Sequence, residues 1–275
     1  MIPKDYITEW RESAPWVSDR QVEQDLVISR ALVELFAQRA IADALAFRGG
    51  TALYKLHLRP AARYSEDIDL VQTRPGGIGV ALDAVHEALD GWLGKPQWKQ
   101  SEGRVTLTYR FGSEDLPPVR LKLKVEINSR EHFAVYGLKD HPFEVRSRWF
   151  SGTANVRTYA LDELLGTKLR ALYQRKKGRD LFDLALALQR PDVSPDRIIE
   201  VFTRYMHEDG TRVTRAMFEQ NLAAKRVDSV FTADMTPLLA SGNRWDFNAA
   251  YERVWTELIT RLHGDPWKGT DPPGR

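Results

Sequence analysis

The residues best suited to chemistry lie between positions 45 and 70. They run Leu45-Ala46-Phe47, then Gly49-Gly50, a helix-like segment 51–58, Arg63-Tyr64-Ser65-Glu66 and Asp67-Ile68-Asp69-Leu70. Acidic and apolar residues alternate in the last four, the pattern of a strand, in which successive side chains face opposite ways. Asp67 and Asp69 therefore share one face, and Ile68 and Leu70 the other. Carboxylates so placed lie about 6–7 Å apart and repel by roughly 2–3 kcal/mol at an effective dielectric of 20. A divalent cation turns that cost into a binding site, and hard oxygen ligands suit Mg²⁺ or Mn²⁺. A glycine pair opening a helix offers backbone N–H groups to a phosphate. Alone, D-x-D is also what an exposed acidic strand edge looks like. The upstream glycine turn and the R-x-S lead-in at this spacing favour the phosphate-and-metal reading.

Other elements must hold these groups in place. Residues 1–17 read as a packed arm or short helix with Tyr6, Trp10 and Trp16 as its aromatic residues. Ser18 and Gln21 form a capping-box pattern before an amphipathic helix to about residue 38, whose apolar face suits packing on a sheet. Gly76-Gly77 is loop punctuation, since no G-K-[ST] follows it. A helix over 78–92 is expected to bury Val80, Leu82, Val85, Leu89 and Trp92. Strands dominate 97–159, with clear alternation over 104–111 and further strands at 143–150 and 155–159. In the strand 119–128, Val119, Leu121, Leu123, Val125 and Ile127 make a core face. The opposite face carries Arg120, Lys122, Lys124, Glu126 and Asn128. It is either a solvated face of a half-buried sheet or a cationic lane ending at one carboxylate.

Near residue 160 the period becomes helical, which places a domain transition there: 1–160, then a helical 161–275. The helix 162–175 has a leucine stripe with Lys168 on or beside it, so this lysine either snorkels past the core edge or points into a polar pocket. Gly178 ends that helix, and Asp180 is positioned to cap the next. Helices follow at 195–205, 213–224 and 245–262, before a Pro/Gly-rich stretch 264–275 that reads as a frayed tail. Arg204, Arg212, Arg215, Lys225 and Arg226 are read as exposed, either an RNA-facing surface or ordinary solubilising charge. His57, His86, His132 and His141 show no ligand spacing.

Strand, GG turn, helix and D-x-D strand together resemble the core of the polymerase-β-like nucleotidyltransferases. The wording G-G-T-A-L and R-x-S-x-D-I-D-L is similar to the AbiEii/AbiGii toxin family, which includes the mycobacterial MenT toxins. A second stretch, K-L-R-A-L-x-x-R-x-x-x-R-D-L-x-D-L from Lys168, resembles that family's second signature. The two matches cover roughly residues 45–190. The resemblance implies an α+β fold, a mixed sheet flanked by helices with a C-terminal helical domain completing the active site. It implies Asp67, Asp69 and Glu126 as metal ligands, with Mg²⁺ or Mn²⁺ as cofactor. Gly49, Gly50, Thr51, Arg63, Ser65 and Lys168 would bind the nucleotide. Lys168 would serve its phosphates and Asp180 help complete the catalytic set, with Asp183 and Arg175 as secondary candidates. The implied activity is transfer of a nucleoside monophosphate from an NTP to RNA, at the acceptor end of tRNA, by a toxin with a cognate antitoxin. An enzyme modifying a small molecule such as an antibiotic, or a nucleotide-binding protein without chemistry, would use the same core. Ser65, two residues before Asp67, suggests an off-switch: a phosphate there would compete for metal and triphosphate.

With 275 residues and 43% hydrophobic content, the chain can bury a sizeable core. It has no cysteine, which excludes disulfides, thiol nucleophiles and Cys-based zinc sites. No run reaches membrane-spanning length and no signal peptide is visible, so a soluble cytoplasmic protein is expected. Net charge is only +2, so nucleic-acid binding rests on local clusters such as Arg120-Lys122-Lys124 and 168–179. DNA is not an expected partner.

Overall fold

The computed structural model describes residues 2–269 and divides into two compact units. The first comprises Met1–Tyr159 with Ala240–Gly242, the second Ala160–Leu239 with Asn243–Arg275.

The first unit begins with α1 (Lys4–Trp10), α2 (Asp19–Ala37) and α3 (Arg39–Ala44). Strand β1 (Leu45–Arg48) then runs into α4 (Gly49–Ala52), which continues as a π-helical turn Leu53–His57. The remaining elements are β2 (Asp67–Gln72), α5 (Gly79–Leu93), β3 (Gln97–Ser101), β4 (Arg104–Gly112), β5 (Arg120–Asn128), β6 (Leu138–Arg146) and β7 (Ser151–Tyr159). The strands form one seven-stranded mixed sheet in the order β3-β4-β5-β2-β1-β7-β6. β2 is antiparallel to β1 and parallel to β5, pairing Ile68 with Val125 and Leu70 with Ile127. Those four side chains are fully buried or nearly so, with α2 packed across β7, β6, β5 and β2. The period-2 alternation of β2 and β5 thus sends their acidic and basic residues to the opposite face.

Several local expectations are corrected. Ser18 makes no side-chain cap; Asp19 in the first turn of α2 supplies the favourable charge and pairs with Arg11. The buried stripe of α5 is Ala81, Ala84, Val85, Leu89 and Leu93, while Val80 is 71% exposed in the first turn. Trp92 is half-buried because the Arg30 guanidinium lies 4.0 Å over its ring and 4.8 Å over Trp149. β6 starts five residues before the expected strand 143–150 and runs through Pro142, which the edge position allows because no neighbour needs the missing N–H. Residues 147–150 form the turn into β7, with Ser147 N–H donating to the Phe150 carbonyl at 3.0 Å.

The second unit is helical: α6 (Leu161–Gln174), α7 (Gly178–Ala187), α8 (Pro195–Glu208), α9 (Arg215–Arg226), α10 (Ser229–Ala233) and α11 (Phe247–Glu257). Ser194, Thr214, Asp228 and Asp246 cap α8 to α11 through side-chain oxygens. The expected helix 245–262 is therefore α11 and a short turn Ile259–Arg261. Within the tail, Trp267 N–H donates to Glu219 Oε2 at 2.6 Å, so that part is tied down rather than frayed. Residues 270–275 of the expected tail lie outside the described residues.

Lys225 is not exposed. It is buried, and its ammonium donates to the carbonyls of Leu172 and Tyr173 (2.9 Å to the latter), two of the unpaired acceptors ending α6. Arg215 and Arg226 are half-buried, the first bonded to Glu219 at 2.7 Å and the second over the Tyr251 ring. Burial pushes the Lys225 pKa down from 10.5 to about 8. Above pH 8 the folded chain then sheds a proton that the unfolded chain keeps up to about 10.5. Stability from this group therefore rises with pH across that window. Urea unfolding of the native chain and Lys225→Met at pH 7.5 and 10 is expected to show this gain only in the native chain.

Candidate active site

The acidic residues sit where four adjacent strands bring rows of side chains together. Arg48, Asp69, Glu126 and Thr106 are successive register partners across β1, β2, β5 and β4. The neighbouring row pairs Asp67 with Lys124 and Lys124 with Thr108. Asp67, Asp69 and Glu126 thus occupy one face of adjacent strands, partly exposed, each backed by fully buried neighbours.

The glycine turn meets this face directly. Gly49 has φ +81°, and a Cβ there would lie 2.3 Å from Asp69 Oδ2. Only glycine meets both conditions. Gly50 is backed by Arg63 and Ser65, whose side-chain atoms would stand 2.6 and 3.0 Å from an added Cβ. Thr51 ties the turn to the D-x-D strand, its hydroxyl lying 2.6 Å from the Asp67 carbonyl and 2.9 Å from Ser65 Oγ. Arg63 is buried, donates to its neighbour's carbonyl at 2.9 Å and lies 4.9 Å from the Tyr54 ring centre, so it supports the turn from beneath. Gly49→Ala is expected to cost roughly 1–2 kcal/mol from the left-handed backbone alone and to displace Asp69. A thermal melt and a Mn²⁺ titration would both register it.

Electrostatically the site holds more negative charge than it can leave unanswered. Burial raises the Asp69 pKa, and Asp67 and then Glu126 raise it further, while Arg48 and Lys124 only partly oppose this. Burial disfavours the Lys124 ammonium, but its bond to Asp67 and the nearby Glu126 and Asp69 raise its pKa overall. Lys124 Nζ stands 3.0 Å from Asp67 Oδ2 and 3.6 Å from Glu126 Oε2. Arg104 Nε lies 3.3 Å from the other Glu126 oxygen. Arg48 is bonded to Glu131, which keeps it protonated despite burial. Among the described residues no three His, Asp or Glu side chains stand converged on one point, and Mg²⁺ is commonly held by only one or two carboxylates together with phosphate oxygens. The donors nonetheless fit one: hard carboxylate oxygens on one face, mutually repelling, with a lysine ammonium already drawn between two of them.

Three of these residues carry roles that the sequence did not disclose. Arg48 directly precedes the glycine pair, but its partner Glu131 is 83 positions away in a loop. Lys124 reads as a member of a basic strand face and Arg104 only as the first residue of an alternating strand, and only the β2–β5 and β4–β5 register brings them to the acids. A cavity of about 500 Å³ in the same unit is lined by Thr51, Ser65, Lys55, Arg59, Asp25 and Trp16 among others.

The second unit gathers the other motif. Lys168 Nζ lies 3.1 Å from Asp180 Oδ1 and 3.0 Å from Asp183 Oδ2. Arg175 grips Asp180 with two nitrogens, at 2.7 and 2.9 Å. Both aspartates are fully buried. Burial alone would raise the Asp180 pKa, but Lys168 and Arg175 outweigh it and hold the carboxyl well below the usual range. Asp180 is thus no helix cap: α7 begins at Gly178, and Asp180 spends its oxygens on the two cations.

Comparison with known proteins bears on the family and the fold. The family model described as nucleotidyl transferase AbiEii toxin, of type IV toxin–antitoxin systems, matches residues 30–253. Among solved structures, MenT4, a nucleotidyltransferase toxin from Mycobacterium tuberculosis H37Rv, is 19% identical with a TM-score of 0.68, covering 96% of this chain and 91% of its own. JHP933 from Helicobacter pylori is 17% identical with a TM-score of 0.53, covering 87% of this chain and 90% of its own. No curated sequence matches this chain.

Proposed function

Because this chain belongs to the AbiEii family of nucleotidyltransferase toxins of type IV toxin–antitoxin systems, we propose that it transfers a nucleoside monophosphate from an NTP to the 3′ acceptor end of tRNA. Aminoacylation, and with it translation, is blocked, and a cognate antitoxin restrains the toxin in the cytoplasm. Among the described residues no helix is long and apolar enough to cross a membrane.

The observation that carries this reading is the set of three carboxylates on adjacent strands beside a glycine turn whose first residue has no room for a Cβ against Asp69. Asp67, Asp69 and Glu126 would hold Mg²⁺, or Mn²⁺ in its place. When bound, the ion supplies positive charge for the attacking and leaving oxygens. The backbone N–H groups at Gly49, Gly50 and Thr51 receive phosphate oxygens at the start of the helix. The acceptor hydroxyl forms the new bond to the α-phosphorus, the bond to the β-phosphate breaks, and pyrophosphate leaves. Glu126 takes the hydroxyl proton. Arg48, locked by Glu131, keeps a fixed positive charge beside Asp69 and orients it. Lys168, with Asp180 and Asp183 as its partners, is the cation that the second signature assigns to the phosphates. Ser65, joined to Thr51, is the residue whose phosphorylation would switch the enzyme off.

Total RNA incubated with the protein, Mg²⁺ and each labelled NTP is the test. Label in RNA of tRNA size is expected. Label in a small molecule, or NTP binding without any transfer, would overturn the assignment.

A further inference from the structure

Three carboxylates share one sheet face, and the protein answers them with its own cations. Arg48 is committed to Glu131, and Arg104 sits against the outer oxygen of Glu126. Lys124 differs from both. The parallel register sets it opposite Asp67 and two residues before Glu126, so its ammonium enters the acidic row from inside the sheet. It bonds Asp67 Oδ2 at 3.0 Å and lies 3.6 Å from Glu126 Oε2. Its side chain is about 30% exposed, as are those of its partners to a similar degree, so the head group can leave toward solvent without unpacking the core. A lysine suits that use: it is a point charge on a flexible stem, whereas an arginine fork would hold a carboxylate in fixed geometry.

A divalent cation at Asp67 and Glu126 and the Lys124 ammonium want the same oxygens and repel each other at that range. A bare cation must therefore expel Lys124 from between Asp67 and Glu126. A cation arriving with a triphosphate brings anionic oxygens that can receive the displaced ammonium. We propose that Lys124 is a resident counter-ion that makes divalent-cation binding conditional on triphosphate. This deepens the nucleotidyltransferase reading and rests on it. Lys124 thereby keeps the acidic face neutralised between turnovers and couples the two ligands. By linkage the coupling is reciprocal, so each ligand tightens the other by the same factor.

Mn²⁺ binding, followed by the paramagnetic resonance of the free ion, tests it. The measurement uses the native chain, Lys124→Met and Asp67→Asn, with and without α,β-methylene analogues of the four NTPs, corrected for Mn²⁺ held by the analogue alone. In the native chain the analogue that binds is expected to tighten Mn²⁺ by about tenfold or more. Lys124→Met is expected to bind Mn²⁺ alone about tenfold more tightly than the native chain and to lose most of that coupling. It should also melt below the native chain in EDTA, with the gap closing in saturating Mn²⁺, because Asp67 and Glu126 lose the ammonium between them until the ion arrives. Should Lys124→Met not fold without metal, Lys124→Gln is read in the same way. Mn²⁺ affinity no higher than native in the charge-removed variant, or native coupling in it, overturns the proposal. Mn²⁺ binding that survives Asp67→Asn instead overturns the metal assignment itself, and the two failures are read from different variants.

Discussion

Asp67→Ala is expected to lower nucleotide transfer by at least 10²–10³-fold, about the cost of removing one preorganised charge-stabilising group. The same substitution is expected to leave the fold nearly untouched. Asp67 is about one-third exposed, and its ion-pair partner Lys124 is equally so. Exposed pairs of this kind contribute at most about 1 kcal/mol, which in a chain of this size moves the melting temperature by no more than about 2–4 °C. Removing Asp67 also relieves repulsion on Asp69, which offsets part of even that loss. Labelled-nucleotide incorporation beside a thermal melt separates the two effects. Transfer retained at native rates would remove Asp67 from the chemistry.

Asp180→Ala is expected to do the reverse, with stability lost first. The carboxylate is fully buried between Lys168 and Arg175, and its removal leaves Lys168 buried with Asp183 alone. Breaking one side of a buried ionic network costs about 3–5 kcal/mol, a fall of roughly 6–20 °C at 2–4 °C per kcal/mol. Asp180→Asn, which keeps the volume, should lose less. The pH dependence follows from the sign of the shift. The folded pKa lies below the unfolded value, so the stabilisation is fully present above the ordinary carboxylate range and disappears as pH falls through the folded pKa. Acid unfolding of Asp180→Asn should therefore be shallower below about pH 4 than that of the native chain. A native melting curve for Asp180→Ala with lost transfer would assign this residue to chemistry rather than to holding Lys168.

The acidic pair and the glycine turn were legible because their signals are local. Asp67 and Asp69 share a face by strand period alone, and Gly49-Gly50 can be recognised as a turn without knowing what it touches. Glu126 could be placed on the polar face of its strand for the same reason. What binds Asp67 could not be read, because Lys124 reaches it only through the parallel β2–β5 register, 57 residues away in sequence. Arg48 and Glu131 depend likewise on a loop that folds back over β1. Errors in the helices had a different source. Lys225 ends a polar helix face, a pattern that suggests exposure, yet the open carbonyls of α6 give a buried ammonium its partners. Val80 fitted an apolar spacing, but the buried stripe of α5 begins one residue later, at Ala81.

The most direct measurement is the position of a bound ion. Crystals grown with Mn²⁺ and an α,β-methylene NTP should give an anomalous peak within about 2–2.5 Å of carboxylate oxygens from both Asp67 and Asp69, with phosphate oxygens at the Gly49-Gly50 turn. An ion bound elsewhere, or Asp67 and Asp69 turned away from a bound triphosphate, would contradict the account.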